Sequence, residues 1–278
     1  MELWEAILLG IVEGITEFLP VSSTGHLTIT EELLGMDVDD VAVTAYTAII
    51  QVGAIAAAII YFWRDIVKIV TSFVRGIFSA DARQSADWRL STAVVAGSAP
   101  IVVVGVGAQS IITGPLRSMW VVAAGLILWS GVMVFAERAA TQQRGEKDVT
   151  LADGIIIGLA QCIALVPGVS RSGATISVGL LRDIDRVTAT RLSFFLGIPA
   201  LTAAGIFEAV TVADEISLRV GWLPTIVGTV VSFIVAYISI AWLLKFVAHH
   251  TLMAFVWYRV GLGVLLIAGL VTGVIANT

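Results

Sequence analysis

Long apolar runs dominate the chain, and their spacing predicts its architecture. Six stretches qualify as spanning helices, which need about 20 mostly apolar residues: 42–63, 89–108, 119–134, 190–210, 223–247 and 253–276. Trp63, Trp88, Trp120 and Trp222 fall near their ends, as interfacial belts do. Two further apolar segments are interrupted. The first runs from Leu3 to Pro20, breaks at Val21-Ser22-Ser23-Thr24-Gly25, and resumes as a short helix over 26–34. The second runs over 151–166, breaks at Pro167-Gly168-Val169-Ser170-Arg171-Ser172-Gly173, and resumes over 174–181. A helix, a polar Pro/Gly break and a half-length helix form the pattern of a re-entrant hairpin. Broken backbone at membrane depth persists only when buried in protein or facing a water-filled cavity. The expected fold is an all-α polytopic membrane protein with six transmembrane helices plus two re-entrant helix-loop-helix hairpins.

The hairpins also resemble each other. Gly10-Ile11-Val12-Glu13 aligns with Gly158-Leu159-Ala160-Gln161, and Pro20 to Gly25 aligns loosely with Pro167 to Gly173 after a one-residue shift on each side of the proline. One integral membrane domain then contains two repeats, about 1–140 and 150–278, each with one hairpin and three spans. A hairpin adds no net crossing and three is odd, so the second half is expected upside down. Inverted repeats place their sites near the midplane, where the halves meet. Basic residues agree with this topology. Arg64, Lys68, Arg75, Arg83, Arg89, Arg138, Arg144, Lys147, Arg182, Arg186, Arg191, Lys245 and Arg259 fall in connections on one side; Arg117 and Arg219 fall on the other, and Arg171 lies inside the second break. The basic side is expected to be cytoplasmic, with both termini outside. Hairpin one then enters from the outer face and hairpin two from the cytoplasm.

Composition narrows the function classes. The chain is 58% hydrophobic and 13% charged, whereas soluble domains run near 45–50% and about 25%. The net charge of −5 comes without like-charge blocks or a basic stripe, so no nucleic-acid partner is expected. A single cysteine, Cys162, excludes an intrachain disulfide. The N-terminus lacks a basic n-region and a small-residue cleavage site, so no signal peptide is expected. Zinc-ligand spacings, Walker loops and dinucleotide glycine motifs are absent from the sequence.

Ionisable residues inside membrane segments are costly and mark functional candidates. Glu13 and Glu17 stand at i, i+4 on one helical face. Adjacent carboxylates repel unless a proton or cation lies between them, and a divalent cation such as Mg²⁺ or Ca²⁺ suits all-oxygen ligands. Ser22, Ser23 and Thr24 bring hydroxyls to a helix start, which favours an anion. His26 follows directly and is a candidate for acid–base or nucleophilic duty. In the second break Arg171 is flanked by Ser170, Ser172 and Thr175, and its planar fork matches phosphate oxygens. Together these residues predict a phosphate centre, and its place in the membrane predicts a lipid phosphate as substrate.

These motifs resemble a known family. Glu13-Gly14-Ile15-Thr16-Glu17-Phe18-Leu19-Pro20-Val21-Ser22-Ser23-Thr24-Gly25-His26 and Pro167-Gly168-Val169-Ser170-Arg171-Ser172-Gly173-Ala174-Thr175 are similar to the two signatures of the undecaprenyl-pyrophosphate phosphatases, the bacitracin-resistance family. The similarity runs over essentially the whole chain. It implies hydrolysis of a polyprenyl diphosphate to monophosphate and inorganic phosphate, which recycles the lipid carrier for cell-wall assembly. It also implies interdigitated hairpins, a divalent-cation requirement, residence in the cell membrane and a site open to the outer face. By position, Glu13 and Glu17 become the acidic, metal-binding pair and Arg171 the phosphate anchor. Ser22, Thr24, Ser170, Ser172 and Thr175 then line the pocket, and Ser23 is favoured over His26 as nucleophile. The alternative is a polyprenyl-phosphate flippase, or a protein with both roles. The sequence leaves the oligomeric state open, a lipid-facing homodimer being one arrangement compatible with it.

Overall fold

The computed structural model describes residues 1–38, 40–107, 116, 118–211 and 216–275. Among the described residues eleven α-helices carry the fold: α1 Leu3–Thr16, α2 Ser23–Leu33, α3 Val41–Tyr61, α4 Trp63–Phe78, α5 Ala86–Gly107, α6 Met119–Ala139, α7 Leu151–Ile163, α8 Arg171–Leu181, α9 Arg186–Thr211, α10 Trp222–His249 and α11 Met253–Thr272. Among the described residues the only β-type pairing is an isolated bridge between Arg144 and Ile184. Six of these helices are long and apolar enough to cross a membrane, namely α3, α5, α6, α9, α10 and α11. They match the six expected spans. The protein is thus a multi-pass membrane protein.

The two interrupted segments form short helix pairs. α1 has 14 residues and α2 has 11, about 21 and 17 Å of helix, less than the roughly 30 Å of a bilayer core. α7 and α8, with 13 and 11 residues, fall equally short. Within each pair the helices pack on each other, which fits the hairpin form. The second helix of each pair begins three residues earlier than the sequence pattern suggests. Ser22 and Ser170 are the reason. Both adopt positive φ, 78° and 75°, and each N-caps the following helix by accepting a hydrogen bond from Gly25 N–H or Gly173 N–H. Residues that look like loop are therefore the first turn of a helix, with Ser23 and Arg171 at its first position.

Small residues let α1 and α7 sit deep in the bundle. α1 lies along α10 and α7 along α5. A Cβ on Gly10 would fall 2.6 Å from the Gly228 carbonyl oxygen, and one on Gly158 would fall 2.0 Å from that of Gly97. Backbones this close leave room for no side chain, the membrane counterpart of small-xxx-small packing. Thus the first helix of each pair packs on the middle long helix of the opposite half.

α4 is an element the sequence reading did not anticipate; its residues stood as part of a connection. Ile69 faces the protein, while Val70, Val74, Ile77 and Phe78 are exposed. Such a helix buries one apolar face in the headgroup boundary rather than crossing. It belongs to an end of the bundle rich in ion pairs. Asp153, fully buried, accepts from Arg144 at 2.5 Å and Arg182 at 2.9 Å. Arg186 pairs with Glu137, and Arg191 with Asp65 at 2.8 Å and Glu146 at 3.1 Å. At the opposite end Arg219 pairs with Asp40 at 2.6 Å. Arg117 lies outside the described residues.

Candidate active site

The two breaks meet. Gly168 N–H donates to Ser22 Oγ at 3.2 Å, and Ser172 Oγ donates to the Leu19 carbonyl at 2.9 Å. The N-termini of α2 and α8 are therefore brought together from opposite halves of the chain. Each presents backbone N–H groups and the positive end of its helix dipole.

A chain of polar contacts runs across this junction. Ser23 Oγ donates to Glu17 Oε2 at 2.7 Å. Arg171 Nη2 donates to the other oxygen, Glu17 Oε1, at 3.2 Å. Arg171 Nη1 is buried and has no hydrogen-bond partner. The guanidinium lies over the Phe18 ring, 5.8 Å from its centroid, which fixes its plane. An unsatisfied buried N–H is expensive, and this one packs against Gly197 of α9, where a Cβ would lie 1.5 Å from it.

Ser23 opens onto a cavity of about 200 Å³ between α1, α2, α3 and α6. Its walls include Glu13, Thr24, Thr28, Glu31, Thr47 and Gln51. Both Glu13 oxygens are buried without a hydrogen-bond partner. Glu17 is buried behind Ser23 and does not line the cavity. So the i, i+4 pair divides: Glu13 faces the cavity and Glu17 faces Ser23 and Arg171. Among the described residues no three His, Cys, Asp or Glu side chains converge on one point.

The remaining predicted residues take different places. Thr24 lines the cavity. Ser22, Ser170, Ser172 and Thr175 do not; their hydroxyls brace the breaks. Ser170 Oγ and Ser172 Oγ lie 3.2 Å apart, and Thr175 Oγ1 donates to Ser193 Oγ at 2.6 Å. The physical reason is the interdigitation itself, since two irregular segments in contact need their own polar groups to satisfy each other's backbone. His26 is likewise absent from the cavity wall. Its Nδ1 lies 2.7 Å from the Ser22 carbonyl and its Nε2 2.6 Å from the Tyr258 hydroxyl, with the two rings stacked. A carbonyl accepts only, so Nδ1 carries the proton and Nε2 accepts from Tyr258.

Arg259 is the residue that sequence reasoning misplaced. It was expected in a cytoplasmic connection; it is fully buried in α11. Nη1 donates to the Pro20 carbonyl at 3.1 Å and Nη2 to the Gly168 carbonyl at 2.9 Å, one from each break. The same side chain reaches the Gly125 and Leu126 carbonyls and Ser130 Oγ. Two of its acceptors, the Pro20 and Gly168 carbonyls, belong to the breaks, so a connection near a helix end would not have provided them. The basic asymmetry of the connections survives its removal. Arg259→Met should leave these carbonyls without donors, costing on the order of 3 kcal/mol and lowering the Tm in detergent by roughly 6–12 °C. Arg259→Lys should restore only part of this, because an ammonium cannot span both breaks. Differential scanning fluorimetry checks it; an unchanged Tm in Arg259→Met would refute the clamp.

The chain is similar to known proteins over nearly its whole length. A family model described as bacitracin resistance protein BacA matches residues 6–265. Undecaprenyl-diphosphatase 3 of Frankia casuarinae is 53% identical over 278 residues, covering 100% of both chains. The undecaprenyl-diphosphatase of Cutibacterium acnes is 55% identical over 97% of this chain and 98% of its own. Undecaprenyl-diphosphatase 1 of Streptomyces avermitilis is 55% identical over 98% of each.

Proposed function

The chain belongs to the bacitracin-resistance family, and on that premise we propose that it is an undecaprenyl-diphosphatase in which Ser23 is the nucleophile. The observation that carries this assignment is the Ser23–Glu17–Arg171 chain at two converging helix N-termini. Ser23 Oγ attacks the terminal phosphorus and passes its proton to Glu17. The bond from that phosphorus to the bridging oxygen breaks, and polyprenyl monophosphate departs with the electron pair and takes the proton from Glu17. Glu17 then accepts a proton from water, which attacks the phosphoserine. The serine oxygen leaves as its bond to phosphorus breaks, recovers the proton, and inorganic phosphate is released. Arg171, held on Glu17 through Nη2, anchors the terminal phosphoryl oxygens.

A divalent cation fits the donor set. Glu13 offers two buried oxygens with no other partner, and Mg²⁺ commonly uses one or two carboxylates together with substrate phosphates. Bound there, the cation supplies charge neutralisation for the diphosphate. The basic end of the bundle is assigned to the cytoplasm of a cell-membrane protein, so the cavity opens outward. The equivalent caps at Ser22 and Ser170 support reading 1–140 and 150–278 as an inverted repeat.

Phosphate release from a C55-type diphosphate in detergent tests the assignment. Turnover should be abolished by EDTA and restored by Mg²⁺ or Ca²⁺. A purified, monodisperse protein that releases no phosphate with either ion would refute it.

A further inference from the structure

The cavity wall contains an amide side chain that neither signature motif includes. We propose that Gln51 of α3 is a catalytic residue, whose amide N–H donates to the proximal phosphate of the diphosphate, the group that leaves with the prenyl chain. The proposal rests on reading this cavity as the diphosphate site.

Three observations carry it. The first is the set of donors on the wall. None of the described lining residues is Lys, Arg or His; the others are carboxylates, hydroxyls and apolar groups. Gln51 alone among them offers a side-chain N–H. The second is that this amide is uncommitted. It is half-buried and has no hydrogen-bond partner among the described residues. It is also the one amide or charged side chain in the span Val41–Tyr61, whose mean hydropathy is 2.0. A polar group at that depth is costly and marks a site when it faces a cavity. Thr44, Thr47 and Gln51 recur at i, i+3 and i+7, so α3 turns one polar stripe to this space. The third is where along that stripe Gln51 stands.

α2 and α3 both pack on α1, and the cavity lies between them. Val38, in the link from α2 to α3, marks one end of the cavity, and Pro167 of the second break marks the other. α2 leads from the breaks to that link, and α3 leads back from it. The lining stretch of α2 runs from Ser23 to Glu31, and that of α3 from Thr44 to Gln51. These stretches are about 12 and 10 Å long, so Gln51 stands at the level of Ser23 on the facing wall. In-line displacement puts the leaving oxygen on the side of phosphorus away from the nucleophile. With Ser23 attacking from α2, the proximal phosphate lies toward α3 and gains negative charge as the bridging bond breaks. An amide donor there binds more strongly as that charge develops, which lowers the barrier. Arg171 anchors the terminal phosphoryl group from the other half of the chain, so the two donors serve different phosphates.

The test is phosphate release by the full-length protein in detergent, with inhibition by inorganic phosphate and by farnesyl phosphate, a prenyl monophosphate that carries only the proximal group. Gln51→Leu should lower kcat/KM by about 10–10²-fold and raise the Ki of farnesyl phosphate about tenfold, with the Ki of inorganic phosphate unchanged within about twofold. Gln51→Asn, which keeps the amide but shortens the reach, should fall between wild type and Gln51→Leu. Gln51→Glu, which sets a carboxylate against the leaving phosphate, should lose at least as much as Gln51→Leu. The Tm of Gln51→Leu should not fall, because the amide holds nothing within the protein; a merely structural glutamine would lower it. Wild-type kcat/KM in a monodisperse Gln51→Leu protein would overturn the proposal. So would Ki values that rise together, since the amide would then act on the terminal group. If Gln51→Leu does not fold, wild-type kinetics in both Gln51→Asn and Gln51→Glu overturns it instead. A wild-type protein that releases no phosphate would sink the phosphatase reading; farnesyl phosphate binding by calorimetry then decides this inference, which fails if Gln51→Leu or Gln51→Asn leaves the Kd unchanged. Diphosphate hydrolysis indifferent to Gln51 would sink only this inference.

Discussion

Ser23→Ala is expected to lower kcat for polyprenyl diphosphate hydrolysis by about 10⁴-fold or more while the protein stays folded. The hydroxyl it removes donates to Glu17 Oε2, and the Arg171 contact to the other oxygen remains. The cavity loses an oxygen and gains no bulk. A cap is not lost either, because Ser22 holds the start of α2. Substrate affinity should therefore change little, and the defect should appear in kcat. His26→Ala sets the contrast. Its ring bonds the Ser22 carbonyl and Tyr258 and is not part of the cavity wall, so its loss should cost roughly tenfold by loosening the first break. Phosphate-release kinetics separate the two, and rapid quenching of the wild-type enzyme should trap phosphate on Ser23. The serine mechanism fails if Ser23→Ala retains kcat within tenfold, and fails equally if a phosphohistidine is trapped at His26.

Much of the fold was legible because bilayer burial writes itself into length and composition. Six uninterrupted apolar runs gave six spans, and two Pro/Gly interruptions gave two short helix pairs. Less legible was where the helices after the breaks begin. Ser, Thr and Gly favour loops by local propensity, yet a serine cap with a glycine three residues later started α2 and α8 early. That Ser-x-x-Gly spacing is present in both breaks and could have signalled it. α4 could also have been found, since Ile66, Ile69, Val70, Phe73, Val74 and Ile77 recur at helical intervals. Its four neighbouring basic residues made it resemble an ordinary connection. Arg259 had no such signal. A lone arginine six residues into α11 looks like a helix-end cation, and only the tertiary meeting of Pro20 and Gly168 reveals what it holds. Sequence spacing pairs Glu13 with Glu17 because they share a helix. The structure separates them because the two sides of α1's lower end meet different neighbours.

Arg171→Ala should reduce kcat/KM by about 10²–10³-fold, the usual loss when one preorganised donor to a developing anion is removed. Arg171→Lys should recover little, since one ammonium cannot donate to Glu17 and to a phosphoryl oxygen with the same fixed fork. The fork matters because the guanidinium has two jobs. One nitrogen holds Glu17 Oε1, and the guanidinium is also the proposed phosphate anchor. Removing it takes the anchor from the substrate and leaves a buried Glu17 without its cation. Glu17→Gln attacks the same step from the other side, so the two losses should not add. The double variant Glu17→Gln/Arg171→Ala should be no slower than the worse single variant by more than about tenfold. It should also be more heat-stable than Arg171→Ala alone, because no unpaired buried charge remains. Full additivity in kcat/KM, with each loss multiplying the other, would show that Arg171 and Glu17 act in separate steps and would break the chain of contacts into unrelated parts. Non-additive loss with recovered stability would tie the phosphate anchor and the base into one unit, assembled from opposite halves of the chain at the point where the two breaks touch.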